Sequence, residues 1–108
     1  MIEIRISLKK GAPAGLEVSG HSGLGGKGSD ILCAAVSVLT ENLGAGIQFI
    51  LGKHPVIKED DGFYSIHLKN EELDSGTDLL FSSAILGLQN LSGQYPERIK
   101  ITSKVLEA

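Results

Sequence analysis

Two side chains suited to acyl transfer, His21 and Cys33, stand twelve residues apart with a glycine-rich stretch between them. A thiolate attacks carbonyl carbon well, and an imidazole takes up and returns protons near neutral pH. Asp30 directly precedes the apolar run Ile31-Leu32-Cys33-Ala34-Ala35-Val36-Ser37-Val38-Leu39, so it reads as the N-cap of a helix starting at Ile31. Cys33 is then the third residue of that helix, beside unpaired N–H groups and the positive end of the helix dipole. This setting predicts a thiol pKa below the free value of about 8.5, and a protonated His21 nearby would lower it further. N–H groups of the loop and helix start could hold a tetrahedral oxyanion. Ser37, four residues after Cys33, falls on the same helix face and could steady the site by hydrogen bonding.

Each of these residues also has an ordinary structural use. A lone cysteine on an apolar helix is usually a small core residue. Asp30 serves as a cap, His21 beside glycines as a turn residue, and Ser37 as a helix residue bonded to its own backbone. The intervening Gly23-Leu24-Gly25-Gly26-Lys27-Gly28 spells G-x-G-x-x-G between a strand and a helix. That pattern can cradle a phosphate, with Lys27 as counter-charge. In so glycine-rich a segment the match arises easily by chance, and Gly28 stands where a P-loop needs Ser or Thr. His54, before Pro55, and His67, on an alternating strand, read as structural. With three histidines, one cysteine and no ligand spacing, neither a metal nor another cofactor is expected. Glu59-Asp60-Asp61 reads as a solvated hairpin tip.

The elements that must position these groups follow from periodicity. Ile2, Ile4, Ile6 and Leu8 alternate with polar residues, as do Leu16 and Val18, and Lys10–Gly15 between them reads as a turn. The helix from Ile31 presents Ile31, Leu32, Ala35, Val36, Leu39 and Leu43 as a wide apolar face and ends by Gly52. Val56–Glu59 and Phe63–Leu68 flank Asp60-Asp61-Gly62, a hairpin signal. Ser75 and Asp78 have the spacing of a capping box before a second helix carrying Phe81, Ala84, Ile85, Leu88 and Leu91. Gly93 and Pro96 end it, and Ile99, Ile101 and Val105 form a last strand. The expected fold is α/β of the α+β type, in the order ββαββαβ. It has one mixed or mainly antiparallel sheet with two packed helices, and residues 1–108 form a single domain.

Composition limits the function classes. The chain has 108 residues, a net charge of −3 and 5% aromatic residues, which argues against a nucleic-acid surface. A single cysteine precludes an internal disulfide. The alternating N-terminus does not resemble a signal peptide, and the apolar runs are short for a membrane span. The expected location is the cytoplasm, with no membrane and no direct nucleic-acid partner.

Gly20-His21-Ser22-Gly23, then Gly28, then Asp30-Ile31-Leu32-Cys33-Ala34-Ala35-Val36-Ser37 resembles the signature of Prp, the bacterial ribosomal-processing cysteine protease family. The family pattern is a Gly-His-Ala/Ser-Gly loop leading to Asp-Ile-Val-Cys-Ala-Ala-Val-Ser. Leu32 stands here for Val, and Leu24 where an aromatic residue is frequent. The resemblance implies a homodimeric α/β cysteine endopeptidase. It would remove the N-terminal extension of the large-subunit ribosomal protein numbered twenty-seven during ribosome assembly, cutting after a short hydrophobic, aromatic-containing segment. It implies Cys33 as nucleophile, His21 as its proton partner, and Asp30 and Ser37 as accessory groups. Gly20, Ser22, Gly23, Leu24 and Gly28 would be substrate-binding positions on a loop that orders over peptide. Two other classes are weighed against it. A non-catalytic ribosome-assembly binding module would keep its function without the Cys33 thiol, and a nucleotide-binding protein would depend on Lys27.

Overall fold

A computed structural model describes residues 1–23 and 30–106 of the chain. Strands β1 (Ile2–Lys9), β2 (Ala12–Gly20), β3 (Val56–Asp60), β4 (Phe63–His67) and β5 (Ile99–Val105) form one sheet. Helix α1 (Ile31–Ala45) follows β2, and α2 (Ser75–Gln94) follows β4. The strand order is β3-β4-β2-β1-β5. Neighbours pair antiparallel except β1 and β5, which run parallel from Ile2 opposite Ile99 to Leu8 opposite Val105. The sheet is therefore mixed, with the expected order of elements.

Alternation along β1 buries Ile2, Ile4 and Ile6 and leaves Glu3 and Arg5 exposed, so both helices cover one face of the sheet. Leu32, Val36 and Leu43 of α1 and Phe81, Ala84 and Leu88 of α2 complete the core. Ile31 departs from the expected apolar face: it is 69% exposed, and Thr40 is buried in that face instead. The Thr40 hydroxyl costs little there because it donates to the Val36 carbonyl one turn back, at 3.1 Å. Beyond Ala45 the helix widens into a π-helical stretch, Gly46–Ile50. The continuous run Ile31–Ile50 is long and apolar enough, by length and composition alone, to cross a bilayer. Here Leu32, Val36, Leu43 and Ile47 pack into the core instead.

Two boundaries differ from expectation. The first hairpin turns at Lys10 (φ 52°) and Gly11 (φ 80°) alone, because a two-residue turn with both φ values positive matches the strand twist. Ala12–Gly15 then joins β2, and the register shift between Ser7 and Leu8 leaves Ala14 as the extra residue between Pro13 and Gly15. The capping box of α2 lies one residue before the Ser75–Asp78 spacing. The Asp74 carboxylate accepts from Thr77 N at 3.0 Å, and Thr77 Oγ1 accepts from Asp74 N at 2.9 Å. Either window offers the same three-residue spacing. At the earlier one Lys53 Nζ also meets the Asp74 carboxylate, at 2.7 Å.

Candidate active site

The end of β2 and the start of α1 meet above the β3–β4 turn. Gly20 closes β2 with φ +93°, a conformation that side chains resist, and a Cβ there would collide with the Met1 carbonyl. Its N–H donates to the Gly62 carbonyl at 2.9 Å. The next residue, His21, is exposed, with its ring lying against Gly62.

Asp30 caps α1 as expected. Its Oδ1 accepts from Leu32 N at 3.1 Å and Cys33 N at 3.0 Å. Its Oδ2 accepts from the Ser22 hydroxyl and from Cys33 Sγ, the latter at 3.1 Å. The Ser22 hydroxyl holds the Asp30 carboxyl well below the usual carboxylate range, outweighing burial, with Cys33 and Leu32 assisting. Ser22, expected among the substrate-binding positions, is buried and turned toward Asp30. Arg98, in the turn before β5, donates from Nη1 to the Ser22 carbonyl at 2.9 Å.

Burial pushes the Cys33 thiol up, and the Asp30 hydrogen bond and charge push it further in the same direction against a smaller opposing effect of Ser22. This reverses the expected depression. The helix-start N–H groups of Leu32 and Cys33 are already taken by the Asp30 carboxylate, which sets a negative charge beside the sulfur. Among the described residues no hydrogen bond joins His21 to Cys33; the thiol donates to Asp30.

Both His21 and Cys33 nevertheless line one cavity of about 240 Å³. Ser37 and Glu41 of α1 line it too, with the β3–β4 hairpin opposite. Ser37 is exposed one turn beyond Cys33. Gly23 is exposed, with φ +78°, near the Arg98 guanidinium. Leu24, Gly28 and Lys27 lie outside the described residues. His54 pairs with Glu72 at 3.1 Å and His67 with Glu17 at 3.6 Å, both away from the cavity. Among the described residues no group of acidic, histidine and cysteine side chains gathers to hold a metal.

Sequence reasoning missed four contributors. Glu59, read as part of a solvated tip, lines the cavity, as does Tyr64. Burial, followed by the charges of Glu59 and Glu41, pushes the Tyr64 hydroxyl up to about 12, so it stays protonated at neutral pH. Gly62 and Arg98 reach the site from segments far along the chain, and no local spacing signals them. The Asp60-Asp61-Gly62 turn was legible, but what it faces was not.

The family model described as Cysteine protease Prp matches residues 1–100. The ribosomal processing cysteine protease Prp of Bacillus subtilis (strain 168) is 26% identical over 109 residues, covering 95% of this chain and 96% of the relative. The crystal structure of SMU.848 from Streptococcus mutans has a TM-score of 0.86 at 32% identity, covering 98% of this chain and 96% of that one. The ribosomal processing protease Prp from S. aureus, in complex with a covalently linked product peptide, has a TM-score of 0.89 at 25% identity. It covers 96% of this chain and 100% of that one.

Proposed function

Because this chain belongs to the Prp family of cysteine proteases, we propose that it trims a ribosomal protein. Its substrate would be the N-terminal extension of the large-subunit ribosomal protein numbered twenty-seven, removed in the cytoplasm during ribosome assembly. The observation that carries this reading is the single cavity lined by both Cys33 and His21.

Cys33 is the nucleophile. In the free protein its thiol donates to Asp30 and lacks the imidazole as partner. Asp30 is a poor base because its carboxyl holds no proton until far below neutral pH. The general base is therefore His21, whose imidazole shares the cavity with the thiol and takes its proton once a peptide fills it. It accepts the thiol proton as sulfur attacks the scissile carbonyl. The tetrahedral oxyanion is left to backbone N–H donors of the loop, because Asp30 already holds those of Leu32 and Cys33. As the C–N bond breaks, His21 returns the proton to the leaving amine, and a thioester on Cys33 remains. Water then attacks the thioester with His21 again taking a proton, and the thiol and the new carboxyl terminus separate. Asp30 and Ser37 orient this machinery, and Gly20, Gly23, Leu24 and Gly28 border the bound peptide.

The test is mass spectrometry of a peptide carrying the organism's own extension, incubated with the protein. One internal cut, after a hydrophobic, aromatic-containing segment, is the expected result. An uncut peptide, with the protein shown folded, overturns the assignment of this substrate.

The protease acts as a homodimer in this reading. Phe49, 84% exposed, and Ile50, 78% exposed, support it by leaving an apolar face beside α2. Sedimentation equilibrium should give twice the 11.4 kDa chain mass, and Phe49→Asp should lower it to the monomer. A wild-type protein sedimenting as one chain removes the dimer from the proposal.

A further inference from the structure

Gly62 touches the His21 region twice. Its carbonyl accepts the Gly20 N–H at 2.9 Å, fixing the peptide group next to the histidine. Its Cα lies under the imidazole itself. A Cβ at Gly62 would come within 2.9 Å of His21 Nε2 and 3.5 Å of Cδ2 and Cε1, while no other heavy atom ranks as near. The β3–β4 turn thus forms a floor for the ring.

The turn alone does not explain a glycine here. Gly62 has φ +70°, a value that asparagine also adopts routinely. Gly11 has φ +80° in the other hairpin turn, and a Cβ there would meet nothing within 4 Å. The two positions make nearly the same backbone demand and differ in what lies above them. At Gly62 the obstacle is the far end of a side chain, which can swing aside without disturbing the fold. A side chain at Gly62 therefore displaces the imidazole and spares the sheet.

We infer that Gly62 is a positioning residue for His21: the bare turn lets the imidazole lie over the hairpin, within the cavity it shares with Cys33. The inference rests on the proposed role of His21 as general base. A ring shifted by roughly 1 Å can cost on the order of a hundredfold in rate.

The experiment compares Gly62→Asn and Gly62→Ala with Gly11→Asn and His21→Ala, using the extension peptide. Thermal melting establishes that each variant folds. Both Gly62 variants should lose between about tenfold and a hundredfold in kcat/KM. The limb of the pH–rate profile that belongs to the imidazole should shift in both. Gly11→Asn should keep the wild-type profile and stay within about twofold. In the wild-type protein, NMR should show a nuclear Overhauser effect between the His21 ring protons and the Gly62 Hα protons. That readout stands even where a Gly62 variant fails to fold. Gly62 variants that match Gly11→Asn while His21→Ala is inactive overturn the inference alone, as does a missing Overhauser effect. Cleavage by His21→Ala at the wild-type rate overturns the general-base reading and the inference with it.

Discussion

With Cys33 changed to alanine, the extension peptide should emerge whole from a digestion that the wild type completes. Loss of the nucleophile removes the covalent route, and the expected fall in rate is on the order of a thousandfold or more. The fold should survive. Cys33 is half-buried at the edge of the core, where its thiol donates to Asp30 and also meets Ser22. With alanine there Asp30 keeps Ser22, Leu32 N and Cys33 N as partners. A cost of about 1 kcal/mol or less is expected. Mass spectrometry of the digest beside a melting curve reads both halves. Cleavage by a folded Cys33→Ala protein at the wild-type rate would falsify the assignment of Cys33 as nucleophile.

Asp30 should separate stability from thiol chemistry. Asp30→Ala removes the cap of α1 and one acceptor of the buried Ser22 hydroxyl, which costs about 1–2 kcal/mol for the cap alone. Asp30→Asn keeps a capping oxygen but removes the charge. With that charge gone, one of the influences raising the Cys33 pKa disappears while burial remains. Alkylation of Cys33 in Asp30→Asn should therefore become fast at a lower pH than in the wild type.

The acid side gives the opposite sign. The folded carboxyl titrates below its unfolded value near 3.9, so the ionised group stabilises the native state at any pH above that value. The contribution is lost as pH falls toward the depressed folded pKa. Urea unfolding between about pH 2 and 7 should show wild-type stability dropping in acid by more than that of Asp30→Asn. Identical pH profiles for the two proteins would remove Asp30 from the acid response. An unmoved alkylation profile would remove it from control of the thiol.

The parts of this molecule written in local order were legible in its sequence. The β1 alternation, the Asp30 cap and the Asp-Gly turn each depend on neighbours within a few residues, and each stands where expected. The juxtaposition of His21 and Cys33 was inferable because one strand end, one loop and one helix start carry both. The direction of the Cys33 pKa was not. It depends on which acceptor claims the helix N–H groups and where the other carboxylate oxygen points, and periodicity contains neither. Gly62 and Arg98 escaped for a similar reason. They reach the site through the pairing of β2 with β4 and the crossover that brings β5 beside β1. The inward turn of Ser22 depends on a bond across eight residues and a second from Arg98.

The parallel pairing of β1 with β5 also sets a timetable for the enzyme's own birth. Ile2 lies opposite Ile99, and the Arg98 carbonyl accepts the Ile2 N–H at 2.8 Å, so the first strand waits for nearly the whole chain. The Arg98 side chain that grips the Ser22 carbonyl arrives at the same late moment. A ribosome translating this protein exposes Cys33 and its helix long before that anchor exists. Pairing across such a separation is intrinsically slow, with folding times of about milliseconds to seconds in domains dominated by it. A half-translated copy thus carries Cys33 with the Ser22 carbonyl still untethered, and Arg98 fastens it only as synthesis nears its end.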